Sequence, residues 1–118
     1  METKSIVGQK SREFAVKIIR LYKDELLPKQ EYVLSKQLLR CGTSIGANIH
    51  EGLGAYSKKD FAAKMGIAYK EARETEYWIN LLLVSKYITD EQFKYLTTDL
   101  TEICKMLYRI IKTSNNTN

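Results

Sequence analysis

The sequence predicts an all-α protein, an antiparallel up-down-up-down four-helix bundle, and three observations carry that expectation. Pro28 is the single proline in 118 residues, so little interrupts helical runs. Apolar residues recur at steps of three and four through four separate segments. Short polar or glycine-containing stretches join those segments, and short joints favour antiparallel neighbours. A hydrophobic content of 44% against 28% charged residues is the balance of a globular chain, and 118 residues suit a single domain, 1–118, with one core.

The first helix is expected over 8–26. At roughly 100° per residue, Phe14, Ala15, Ile18, Ile19, Leu21, Tyr22 and Leu26 fill one half of the wheel, and Lys10, Arg12, Lys17, Arg20 and Lys23 lie on the other. Pro28 and the polar Lys29, Gln30 and Glu31 end it. The second, over 33–51, carries the row Leu34, Leu38, Cys41, Ile45 and Ile49, and Gly52 and Gly54 are expected to stop it in the left-handed conformation that glycine accepts. Ser57 is placed to cap the third helix, 58–86, whose core row is Phe61, Met65, Ala68, Ala72, Thr75, Ile79 and Leu82. Thr89 and Gln92 have capping-box spacing for the fourth, 90–113, with Phe93, Leu96, Leu100, Ile103, Cys104, Leu107, Tyr108, Ile110 and Ile111 on its apolar side. Its acids come mostly first and Lys105, Arg109 and Lys112 last, complementing the helix dipole; the tail 114–118 is expected to fray.

Pairing the second and third helices about a turn near residue 55 sets Arg40 within reach of Glu71 or Glu74 and Asn48 opposite residue 62, where it would bond across helices. Gly42 and Gly46 would admit a close neighbour, with Ala62, Ala63 and Gly66 small enough to answer them. In YWINLLLV, residues 77–84, apolar side chains surround the helix, which predicts a homo-oligomer with Tyr77, Trp78 and Leu81 at the interface.

Several chemistries are excluded. No strand precedes Gly52-Leu53-Gly54, and neither a phosphate loop nor a dinucleotide fingerprint is present. A two-metal bundle needs a Glu-x-x-His pair on each of two helices, whereas His50 is the single histidine. Glu74 and Glu76 would lie about 25 Å along the bundle from the position facing Glu51. No serine, threonine or cysteine has a visible base beside it, so no catalytic residue, metal or cofactor is expected. Cys41 and Cys104 sit in apolar rows and read as reduced core thiols. The N-terminus lacks the apolar run of a secretory signal, and no stretch is long enough to span a membrane, which places the protein in the cytoplasm. Net charge is +5, with nine bases against five acids in residues 1–50 and ten against nine thereafter. The basic half is compatible with phosphate contacts through Lys10, Arg12, Lys17, Arg20 and Lys23, joined by Lys58 and Lys59, although such a balance is also common in proteins that bind neither RNA nor DNA. The other reading is a homo-oligomeric protein-interaction scaffold that binds no nucleic acid.

The segment LLRCGTSIGANIHEGLGAYSKKDFAAKMGIAYKEARETEYW resembles the signature of the four-helix-bundle proteins of 23S rRNA intervening sequences. Arg40, Ser44, Asn48, Glu51, Gly52, Gly54, Ser57, Glu74 and Glu76 are among the matching positions. Ala55 stands where that family usually has arginine, which weakens any expectation that the turn contacts phosphate through that position. The resemblance implies a ring-like homopentamer of poorly defined role. It is also similar to the accessory variability proteins of diversity-generating retroelements, which implies binding of RNA or DNA and a reverse transcriptase as partner.

Overall fold

The computed structural model describes residues 2–116. Four helices follow one another: α1 (Glu2–Leu21), α2 (Leu34–Leu53), α3 (Lys58–Val84) and α4 (Asp90–Asn116), and a π-helical turn at Tyr22–Leu26 closes the first. Each packs on the next and α4 returns against α1, so the four form a closed ring of neighbours measuring 48 × 21 × 19 Å. This is the all-α four-helix bundle that the periodicity predicts. No helix among the described residues is long and apolar enough to cross a membrane.

The core lies where the apolar rows converge. Phe14 and Ile18 meet Leu38, Ile45 and Ile49, with Met65, Ile79 and Leu82 from α3 and Leu96, Leu100 and Ile103 from α4, all shut off from solvent. In α3 the expected row is buried from Met65 to Leu82, with Phe61 half-buried at its start. Thr75 is the polar member of that row, and its hydroxyl donates to the Glu71 carbonyl at 2.7 Å. Among the described residues no buried side-chain nitrogen or oxygen lacks a partner, so the core carries no desolvation penalty of that kind.

The helix ends follow local chemistry. Ser57 Oγ accepts the Asp60 N–H at 3.1 Å, and at α4 both capping-box bonds form: Thr89 N–H to Gln92 Oε1 at 2.8 Å and Gln92 N–H to Thr89 Oγ1 at 3.1 Å. The cap of α2 is Glu31, which the sequence reading left in the polar joint. Its carboxylate accepts the N–H groups of Val33, Leu34 and Ser35 at 2.9, 3.1 and 2.8 Å, and the Ser35 hydroxyl donates back to its carbonyl at 2.6 Å. A buried carboxylate at the positive end of a helix dipole thus satisfies three otherwise orphaned donors.

Four expectations are corrected. The first helix starts before residue 8, because Val7 is fully buried and continues the apolar face upstream. The fourth runs past 113 to Asn116, with Ser114 still half-buried against the bundle; positions 117 and 118 lie outside the described residues. Gly52 and Gly54 do not stop α2 in a left-handed turn, since no glycine has positive φ. The left-handed residues are Gln30 and Lys86, at φ 60° and 65°. Each closes a helix with the paired bonds of a Schellman turn, which is why α3 ends at Val84: Tyr87 N–H reaches the Leu82 carbonyl at 2.9 Å and Lys86 N–H the Leu83 carbonyl at 3.0 Å. Finally, Gly42 and Gly46 face α1 rather than α3. A Cβ on Gly42 would stand 3.1 Å from Ile18 Cγ1, and one on Gly46 3.3 Å from Ser11 Oγ.

Gly52 makes the close approach to α3, where a Cβ would stand 2.8 Å from Met65 Cε and 3.1 Å from Lys64 Cβ. The methionine tip can move, but the lysine Cβ is fixed by its helix. Gly66, also helical, has nothing within 4 Å of an added Cβ. Gly52→Ala should therefore destabilise by about 1–2 kcal/mol through overpacking, while Gly66→Ala should stabilise by about 0.5–1 kcal/mol through helix propensity. Urea denaturation of both variants at one protein concentration checks the opposite signs.

Candidate functional site

The α2–α3 seam holds most of the polar residues that the sequence singles out, and they are spent on one another. Arg40 Nη1 pairs with Glu71 at 3.2 Å and its Nη2 with Glu74, the register contact expected from the antiparallel pairing. Glu74 also accepts the Trp78 indole N–H at 2.9 Å. Lower on the seam Lys64 Nζ donates to Glu51 at 2.7 Å, and this hydrogen bond holds the Glu51 carboxyl below the usual glutamate range. Ser44 donates to the Arg40 carbonyl at 2.6 Å. Asn48 does not bridge helices: its amide donates to the Ser44 carbonyl at 2.8 Å, within α2, the local side-chain-to-backbone bond that a carbonyl one turn back offers. Glu76 turns the other way and pairs with Arg73 at 3.3 Å.

No group of three His, Cys, Asp or Glu among the described residues could hold a metal ion. Cys41 and Cys104 are buried and free. Burial pushes both thiols upward, Cys104 to about 11, so neither offers a thiolate at neutral pH. His50 is exposed on the last turn of α2.

The seven candidate phosphate-binding cations do not form one patch. Lys10 pairs with Glu102 at 2.8 Å and Lys17 with Asp99, both across the α1–α4 seam, and Lys17 also sits 4.2 Å from the Tyr95 ring centroid. Their spacing of seven residues sets them on one stripe of α1 that faces α4. Arg12 lines a groove of about 560 Å³ between α1 and α2 with Ala15, Ala47, His50 and Leu53. Arg20 borders a smaller depression with Asp24 and Tyr95. Lys23 lies at the end of α1, whereas Lys58 and Lys59 open α3 at the opposite end of the bundle.

In the apolar belt Ile79 and Leu82 are consumed by the core, and Trp78 and Leu81 are half-buried. Tyr77 remains 58% exposed, edge-on to Trp78 at 5.2 Å, and Val84 is 63% exposed. Two residues were misplaced by their spacing: Ile19, expected on the apolar half of α1, is 40% exposed, and Tyr108, expected in the apolar row of α4, is 56% exposed. Tyr108 flanks a depression of about 470 Å³ between α3 and α4, lined also by Tyr69, Arg73, Cys104, Lys105 and Arg109. The phenol hydroxyl was the signal available in the sequence, since tyrosine at the edge of an apolar stripe prefers a wet end.

Comparison with known proteins adds a family and a fold neighbour. The sequence model described as 23S rRNA-intervening sequence protein matches residues 3–109. Among solved structures, a crystal structure of a protein of unknown function from the S23 ribosomal protein family of Bacteroides thetaiotaomicron is 53% identical with a TM-score of 0.90, over 93% of this chain and 98% of that one. No curated protein matches.

Because Lys17 is bound to Asp99, Lys17→Glu should lower stability by about 0.5–1 kcal/mol, by losing a half-exposed pair and setting two acids together. Lys58→Glu, on an exposed first turn where a negative charge suits the dipole, should leave stability unchanged or slightly raised. Thermal unfolding of the two variants beside the parent measures the contrast.

Proposed function

The chain belongs to the 23S rRNA-intervening sequence protein family, and from that premise we propose that it is a non-catalytic homo-oligomeric bundle, a pentamer as the resemblance implies, that binds RNA or DNA through exposed cations in the cytoplasm. The observation that carries this reading is the fate of the charges. Glu25, Glu51, Glu71, Glu74, Glu76, Asp99 and Glu102 are held in ion pairs by six cations, Lys10, Lys17, Lys29, Arg40, Lys64 and Arg73, and Glu31 in a helix cap, so the acids held within the chain outnumber the cations spent on them by two. Arg12, Arg20, Lys23, Lys58 and Lys59 are exposed and enter no ion pair among the described residues.

The affinity would come from phosphates, with little base readout from cations scattered over both ends of the bundle. Repetition around an oligomer multiplies such weak contacts by effective concentration. Lys10 and Lys17 are left out of the surface, since their charge already serves the α1–α4 seam. A reverse transcriptase partner stays within the proposal on the resemblance alone.

The scaffold reading shares one observation with the first. Tyr77, Leu81 and Val84 lie along one outward stripe of α3 that also contains Gly66, whose open surroundings leave room for another backbone. The stripe supports self-association under both readings.

Retention on structured RNA and duplex DNA separates them. Binding at about 50 mM salt that falls steeply by about 200 mM is expected, and joint reversal of Arg12, Arg20, Lys23, Lys58 and Lys59 to glutamate should abolish it with the oligomer intact. Absence of salt-sensitive retention on either polymer would leave the scaffold alone. On a sizing column Leu81→Glu with Tyr77→Glu should convert the oligomer to monomer; a parent protein that already elutes as a monomer at micromolar concentration defeats the self-association in both readings.

A further inference from the structure

We propose that the seam between α3 and α4 is a subsite for a single-stranded polynucleotide, in which an unpaired base stacks on Tyr108 and the adjoining phosphates meet Lys105 and Arg109. This rests on the nucleic-acid reading above and names a form of ligand and a surface that the reading does not.

The argument begins with an aromatic residue out of place. Tyr108 has the helical spacing of a core residue and yet leaves 56% of its surface in solvent. Tyr69, half-buried on α3, stands 6.3 Å away between ring centroids and is tilted by 50°, so the two rings are not stacked face to face. The depression beside them, about 470 Å³, has room for a base.

The charge around the rings is positive. Arg73, Lys105 and Arg109 border the depression, and Glu76, the acid on its wall, is already held by Arg73 at 3.3 Å. The cations of α4 are not explained by the helix dipole. The helix continues to Asn116 and has no basic residue in its last turn, so Lys105 and Arg109 sit well inside it, where the dipole effect has faded. Nor do they serve packing, since both are exposed and neither enters an ion pair among the described residues. Aromatic faces interleaved with unspent cations are the pattern that single strands use: any base offers a π-face, and the backbone supplies the anions. In a duplex the base faces are already stacked, which leaves the tyrosines nothing to bind.

Cys104, a buried free thiol, also lines the depression.

Fluorescence anisotropy of the full-length protein with labelled oligo(U) and oligo(dT) of about twelve nucleotides, and with a hairpin duplex, tests the proposal. Tyr108→Ala should weaken single-strand binding about 5- to 100-fold with the salt slope unchanged, and Tyr108→Phe should keep the parent affinity. Lys105→Gln and Arg109→Gln should each lower the slope by about 0.7, the signature of one lost phosphate contact on a single strand. Parent-like single-strand affinity in Tyr108→Ala overturns the subsite, as does a preference for the hairpin. If Tyr108→Ala or Arg109→Gln changes the oligomeric state, the seam is a subunit contact and the proposal also falls. Loss of binding on reversal of the Arg12 and Lys58 set, with Tyr108→Ala unaffected, would refute the subsite while sustaining the broader function.

Discussion

Helix α2 lies so close to both of its neighbours that at three of its positions an added Cβ would force a neighbour to shift. Gly42 and Gly46 press on Ile18 and Ser11 of α1, and Gly52 presses on Lys64 and Met65 of α3. Two closely packed interfaces on one helix fix the rotation of both partners, because interiors tolerate little change in volume. Rotation in turn decides what the flanks of the seams contain. With α3 held by Gly52, Arg40 falls between Glu71 and Glu74, and Lys64 falls on Glu51. With α1 held by Gly42 and Gly46, Lys10 and Lys17 swing toward the acids of α4. The ion pairs are thus consequences of the packing more than its cause, which agrees with the small free energy of half-exposed pairs.

Much of this was readable beforehand. The apolar rows of α2, α3 and α4 are legible because burial imposes the helical period directly on residue type, and the caps at Ser57 and Thr89 because their bonds span three residues. Arg40 was legible because antiparallel pairing is arithmetic once a turn is placed. What failed was direction around the helix axis. The sequence shows that Gly42 and Gly46 want a close neighbour but not which neighbour, and α1 and α3 were equally available. Asn48 failed for a related reason: a polar side chain facing a seam can bond across it or back to its own helix, and here the 2.8 Å bond runs back to Ser44.

Helix ends failed where the chain used unfamiliar residues for familiar geometry. The left-handed positions are Gln30 and Lys86, each forced by a pair of Schellman bonds rather than invited by glycine. The glycines nearby were bound by a stronger constraint, the lack of space at Gly52. Glu31 caps α2 from the third position before Leu34, so neither the usual cap residue nor the usual spacing marked it.

The residues that mark the family and the residues free to act on a partner are largely different sets. Arg40, Ser44, Asn48, Glu51 and Glu74 direct their polar groups at one another or at the backbone, and Gly52 is filled by α3. A donor or acceptor already satisfied within the chain must lose that bond before it can serve a ligand, and the exchange gains little. The signature therefore describes how α2 and α3 are held together. Under the proposed function, binding falls instead to groups that the packing leaves unspent, the exposed cations and the tyrosines with Lys105 and Arg109 on the α3–α4 side. Because those residues are not needed to close the core, they can change without loss of the fold, and the chemistry of a member of this architecture is to be sought on its outer surface.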